Sequence, residues 1–173
     1  ERVVARLRAR KHRDEKPLAV MTTAPHELAE LTADEDALLR SVERPIVLVR
    51  HRTDTPIAPA VTEGSPWLGL MLPYTPLHHL LCEEVGRPLV LTSGNRTDEP
   101  IAIDDEDARL RLGDIADAVL SHDRPIHRRC EDSVVRAAFP IRRSRGFAPR
   151  PLLLPVPAAS SIVAVGAELK STF

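Results

Sequence analysis

Four short stretches of this 173-residue chain carry side chains able to grip an anion. The first is RKHRDEKP, with Lys11 and Arg13 two apart and Lys16 just beyond. Run as an extended segment, it would put Lys11 and Arg13 on one face, where they can hold one anion between them. Kept as a helix end, the same residues are solvated cations that suit the helix dipole. The second is PLVLTSGN, an apolar run that ends in Thr92, Ser93, Gly94 and Asn95. Its hydroxyls, its amide and its backbone N–H groups can bind a phosphate or an acyl group, and Gly94 permits a tight turn and close ligand approach. An ordinary turn uses the same residue types. The third, IRRSRGF, alternates Arg143 and Arg145 on one face of an expected strand, with Gly146 leaving room for a ligand. Charge protecting an exposed edge strand gives the same pattern. The fourth, CEDSVVR, sets Asp132 and Ser133 at the start of a strand, suited to a ribose hydroxyl, to a metal-bound phosphate, or to a plain turn.

Other chemistries find little support. No Ser-His-Asp or Cys-His arrangement is evident, and there is no GxxxxGK[ST] phosphate loop. His78 and Cys82 have a legal metal spacing on one helix, but without further ligands a buried helix face explains them, and no metal site is assigned. The two cysteines, Cys82 and Cys130, form no CxxC and are read as reduced thiols of a cytoplasmic protein. Only Lys11, Lys16 and Lys170 are lysine among 24 basic residues, so a position that stays Lys points to a need for a compact charge.

These residues need elements to hold them. Val3, Val4 and Leu7 at helical spacing predict a helix over residues 1–11. LAVM, IVLVRH, WLGLMLP and PLVL read as strands, and AVLSHD, SVVRAAF and IRRSRGF as three more. PHELAEL reads as a short helix, and Thr32 to Glu35 is a capping box that opens another. Thr75-Pro76 starts PLHHLLCEEV, which Gly86 ends, and a further helix starts near Asp104. Residues 52–66 have loop composition. Strands mixed with helices at this spacing predict an α/β or α+β sheet domain. A net charge of -1 gives no general argument for nucleic acid, and no apolar run approaches a membrane span. Charge is segregated, however: residues 2–16 hold seven Arg or Lys and residues 142–145 three Arg, while residues 98–117 hold eight acids, and two basic clusters in a near-neutral chain suggest a local anion site. The proline-rich stretch around residues 150–157 reads as a linker, with a domain boundary near 158.

The order of these motifs is more specific than any one of them. KxR, LGLMLPYTPLHHLL, LVLTSGNRTDEPI, HDRPIHRRCEDSVVR, RRSRGFAPRPLLLP and VAVGAELKSTF follow one another. The series resembles the HypF family of hydrogenase-maturation carbamoyltransferases over nearly the whole chain. The resemblance implies that residues 1–157 are a YrdC-like domain without its opening strand region. Its fold would be a twisted, mostly mixed sheet with flanking helices and a concave basic face. Residues 158–173 would start an actin-like carbamoyl-transfer domain. It further implies ATP with Mg2+, carbamoyl phosphate as donor, and carbamoyl-adenylate with pyrophosphate as products. Zinc is expected only in family segments absent from this sequence. The carbamoyl group would pass to the C-terminal cysteine of a HypE-like partner protein, toward the cyanide ligands of a nickel–iron hydrogenase. On the matching motifs, Lys11 and Arg13 would hold the carbamoyl or phosphate anion. Thr92, Ser93 and Asn95 would bind phosphates and a metal-linked oxygen, and Lys16, Ser133, Arg143 and Arg145 would complete the nucleotide pocket. Rival readings are a threonylcarbamoyl-adenylate synthase, an antibiotic O-carbamoyltransferase, and a non-catalytic module for double-stranded RNA.

Overall fold

The computed structural model describes residues 1–13, 16–137, 139–153 and 155–163. GAELK and most of the segment read as a second domain lie outside the described residues.

The helices form where local signals ask for them. α1 spans Arg2–Lys11, and its Val4 and Leu7 join the core. α2, Ala33–Arg40, opens on the expected capping box: Glu35 N–H donates to the Thr32 hydroxyl, while the Glu35 carboxylate accepts from Thr32 N–H at 2.9 Å. A single turn, α3 (Pro59–Thr62), breaks the stretch expected to be loop. α4, Pro76–Val85, starts on Thr75, whose hydroxyl accepts from His78 N–H, and ends at Gly86 with φ 63. α5, Asp105–Leu112, is capped by Asp104.

Among the described residues six strands make one mixed sheet: β1 (Ala19–Met21), β2 (Ile46–Arg50), β3 (Trp67–Met71), β4 (Leu89–Leu91), β5 (Val134–Arg136) and β6 (Phe139–Arg142), in the order β4-β1-β3-β2-β5-β6. β1 with β3 and β2 with β5 run parallel, and the other neighbours are antiparallel. The period of two sorts the side chains onto two faces. Val20, Val47, Val49, Leu68 and Leu70 point one way and pack with Val4, Leu28, Leu39 and Val61 into the main core. Ala19, Ile46, Leu48, Gly69, Leu91 and Val134 point the other way, toward an open cleft.

Two strand expectations are corrected. Residues 118–123 form no strand: they are exposed and have no pairing partner, so their apolar content alone could not hold them extended. The IRRSRGF strand stops at Arg142. Beyond it the Ser144 N–H donates to the buried Ser133 hydroxyl at 2.8 Å, and Gly146 at φ 85 turns the chain. That turn closes onto this chain rather than onto a ligand, since a Cβ on Gly146 would lie 2.7 Å from the Glu43 Cα.

Candidate functional site

The cleft has a volume of about 660 Å³, inside the range of roughly 300–1,000 Å³ common for small-molecule sites. Its floor is apolar and shallow-chained at the centre, where Ala19 pairs with Gly69. Polar groups stand around the rim: Arg13, Lys16, Thr92 and Ser93 on one side, with Tyr74, His78, Glu131, Asp132 and Arg142 also lining it.

The basic wall is built by the end of α1. His12 takes a left-handed conformation at φ 50, and Arg13 N–H returns to the Arg8 carbonyl at 3.0 Å. The segment therefore turns rather than running extended as one of the two readings had it. Lys11 and Arg13 still converge, because both reach the same hydroxyl: Lys11 Nζ and Arg13 Nη1 each donate to Thr92 Oγ1 at 3.3 Å. Lys11 also donates to the Ser93 carbonyl at 2.7 Å, and the Thr97 hydroxyl donates back to the Lys11 carbonyl at 2.6 Å. Arg8 is the post behind this loop. Its buried guanidinium donates to the carbonyls of Arg13, Lys16 and Ala60 and pairs with Glu63. Lys16 lines the cleft and pairs with Asp98 at 3.5 Å.

Electrostatics marks the wall as a place for negative charge. Burial pushes the Lys11 ammonium down to about 8, the Arg13 guanidinium adds to the fall, and Glu131 opposes it. Burial lowers Arg13 too, helped by the charges of Arg8 and Arg142 and again opposed by Glu131. Cations that depress one another in a partly desolvated wall are relieved by an anion.

The Thr92–Asn95 turn presents its first three residues to the cleft. Asn95 is buried, and both ends of its amide are used locally: the Ser93 hydroxyl donates to Oδ1 at 2.6 Å, and Nδ2 donates to the Glu99 carbonyl at 2.7 Å. Asn95 therefore holds Ser93 in place and does not itself line the cleft.

Five expected residues do not line the cleft: Lys11 and Asn95 stand just behind its wall, and Ser133, Arg143 and Arg145 are engaged elsewhere. Ser133 is fully buried, its hydroxyl donating to the Arg145 carbonyl and accepting from Ser144 N–H. Arg143 donates to the carbonyls of Phe147 and Arg150. Arg145 stands behind the wall: it pairs with Asp132 at 2.8 Å, donates to the carbonyls of Glu43 and Arg44, and lies 3.6 Å from the centroid of the Tyr74 ring. The arginine that does line the cleft is Arg142, which pairs with Glu131 at 3.2 Å and donates to the Asp132 carbonyl. Sequence reasoning missed it by one residue of strand register. Tyr74 was also missed, although its place three residues past the end of β3 was a usable signal, since sheet sites gather at the carboxyl ends of strands. Its hydroxyl points to Asp132 at 3.4 Å, and its ring meets His78 edge-on at 4.5 Å. Burial holds the His78 imidazole below its ordinary value, with Asp132 opposing and Arg145 and His79 adding to the shift.

Among the described residues no group of three or more His, Cys, Asp or Glu is placed to hold a metal, and both cysteines are free. No helix among them is long and apolar enough to cross a membrane.

Comparison with known proteins gives concordant matches. The family model Sua5_yciO_yrdC, described as telomere recombination, matches residues 1–145. Carbamoyltransferase HypF of Synechocystis sp. is 44% identical over 176 residues, covering 98% of this chain and 23% of its own length. The chain thus spans about a quarter of the length of the curated relatives it matches. A solved full-length HypF in a phosphate- and nucleotide-bound form superposes with a TM-score of 0.83 at 42% identity, over 89% of this chain and 25% of that one. Sua5 of P. abyssi, solved with L-threonine, gives 0.71 at 17% identity over 83% of this chain and 45% of that one, a likeness of fold alone.

Proposed function

Because this chain belongs to the Sua5/YciO/YrdC family and matches HypF carbamoyltransferases along nearly its whole length, we propose that it is the nucleotide-binding, carbamoyl-adenylate-forming part of a hydrogenase-maturation carbamoyltransferase. The convergence of Lys11 and Arg13 on Thr92, at the rim of a cleft of nucleotide size, carries the assignment.

The apolar floor suits a base and the basic wall suits phosphates. Water would first hydrolyse carbamoyl phosphate, releasing inorganic phosphate and leaving a carbamate. A carbamate oxygen then attacks the α-phosphorus of ATP, the bond to the β-phosphate oxygen breaks, and pyrophosphate leaves with the electron pair. This reaction needs no protein nucleophile. It needs two anions held together and the charge on the phosphates neutralised. Arg13 and Lys16 supply positive charge at the wall, and Arg142 supplies it from β6. Lys11 fixes the Thr92–Ser93 turn and adds its own charge from just beneath the surface. Mg2+ fits here as a companion of the phosphates, since the described residues offer no cage of protein ligands. It would neutralise phosphate charge, and the Thr92 and Ser93 hydroxyls are the neutral oxygen groups that the turn could offer it. Transfer of the carbamoyl group to a partner's C-terminal cysteine would fall to other parts of the enzyme.

The test is exchange of labelled pyrophosphate into ATP by the full-length protein. Exchange should require carbamoyl phosphate and fall by more than about a hundredfold in Lys11→Met, the loss expected when a phosphate-directed charge is removed. Exchange that requires threonine instead would favour a threonylcarbamoyl-adenylate synthase. No exchange from a folded protein would remove the adenylation reading.

A further inference from the structure

The floor of the cleft continues past the cleft itself. Leu48 and Gly69 are partners across β2 and β3, and both line the floor. The next pair on that face is Arg50 opposite Trp67, one strand repeat or roughly 6.8 Å further on. On β5, Arg136 follows the floor residue Val134 on the same face. The three side chains meet. The Arg50 guanidinium carbon lies 5.4 Å from the Trp67 ring centroid, and that of Arg136 lies 5.2 Å from it.

Both arginines are exposed, and among the described residues neither pairs with a carboxylate. Some exposed arginines of this chain are paired, as Arg6 is with Asp117, Arg40 with Asp36, Arg52 with Asp54 and Arg150 with Glu43, whereas Arg50 and Arg136 share one ring. Two like charges gathered on one ring repel, and each gains only a modest cation–π attraction in return. An anion between them would relieve the repulsion. Stacking also restricts the two guanidinium groups before any ligand arrives, so less freedom is lost on binding. The indole is half-buried and already carries both cations, so the groups left to act are the guanidinium forks, which match phosphate oxygens two at a time.

We propose that Arg50 and Arg136, held on Trp67, form a polyphosphate subsite at the mouth of the cleft, taking the distal phosphates of a nucleotide whose base rests on the floor. The subsite rests on the nucleotide reading of the cleft, but its anion chemistry can be probed apart from it. Calorimetric titrations of the full-length protein and of the Arg50→Gln/Arg136→Gln variant with ATP, AMP and inorganic pyrophosphate make the test. The variant should bind ATP about tenfold more weakly or worse, because charge-assisted bonds are lost, while AMP affinity stays within about twofold. Pyrophosphate binding should weaken along with ATP. Unchanged ATP affinity, or an equal loss for AMP, overturns the subsite. If the parent binds pyrophosphate but no nucleotide, and the variant loses that binding, the platform stands as a free-pyrophosphate site and the nucleotide reading falls. If the parent binds none of the three, both fall. Each substitution is on an exposed side chain, and a thermal midpoint close to the parent's verifies that the variant is folded.

Discussion

Lys11 is the residue on which the site's pH response turns. At about 8 its ammonium titrates near working pH, whereas its ordinary value is 10.5. An anion bound against it favours the charged form, so binding should draw in a proton and weaken as pH rises through about 8. Titration calorimetry of ATP near that pH, in buffers of different ionisation enthalpy, should register proton uptake that Lys11→Met abolishes; equal uptake by both proteins would assign it elsewhere. For folding without ligand the sign is opposite. The depressed value costs stability fully below about pH 8, and the cost is relieved as pH climbs from there toward 10.5. Lys11, Arg13, Thr92 and Ser93 were legible as a group because their types suit anions, although the backbone that joins them turns where an extended run was one expectation. Ser133 and Arg143 were misread because the sequence does not disclose that backbone groups eleven and four residues away consume their polar atoms.

At the scale of elements, caps were easy to read and pairings were not. Thr32 with Glu35, Thr75 and Asp104 act within one helical turn, so their signals are local. The end of β6 is decided from afar, by the Ser133 hydroxyl and by Gly146 packed on Glu43, which is why the arginine at the cleft is 142 rather than 143 or 145. Gly146→Ala should show how much depends on that contact. The new Cβ would sit 2.8 Å from the Glu43 carbonyl oxygen at φ 85. We expect a stability loss of about 2 kcal/mol or more in urea denaturation. Arg145 draws on the same Glu43 carbonyl, so ATP affinity should fall as well. A fully stable variant would mean that the turn relaxes without strain.

Over the whole molecule, part of the segregated charge proves to be internal. Arg6 and Arg10 of α1 share Asp117 and Lys16 meets Asp98, so the acidic stretch pairs with three of the seven cations of the basic one. Exposed pairs of this kind contribute little each. The converging cations of the cleft wall are a different matter, because an anionic ligand feels them together. Raising NaCl to about 1 M, where the Debye length is near 3 Å, should cut ATP affinity by about tenfold or more. Over the same range the unfolding free energy should move by less than about 1 kcal/mol. Parallel losses in affinity and stability would mean that the ion pairs hold the fold.

Gly69 gives the cleft a history as well as a depth. Its missing side chain would press on Ile46 at 3.0 Å and on Leu48 at 3.6 Å, so the centre of the floor is bare peptide. Every single substitution there adds atoms and none can remove them. Variation at this position is therefore a one-way valve: it can make the cleft shallower and more selective against thick ligands, and any lineage that needs the depth back must return to glycine.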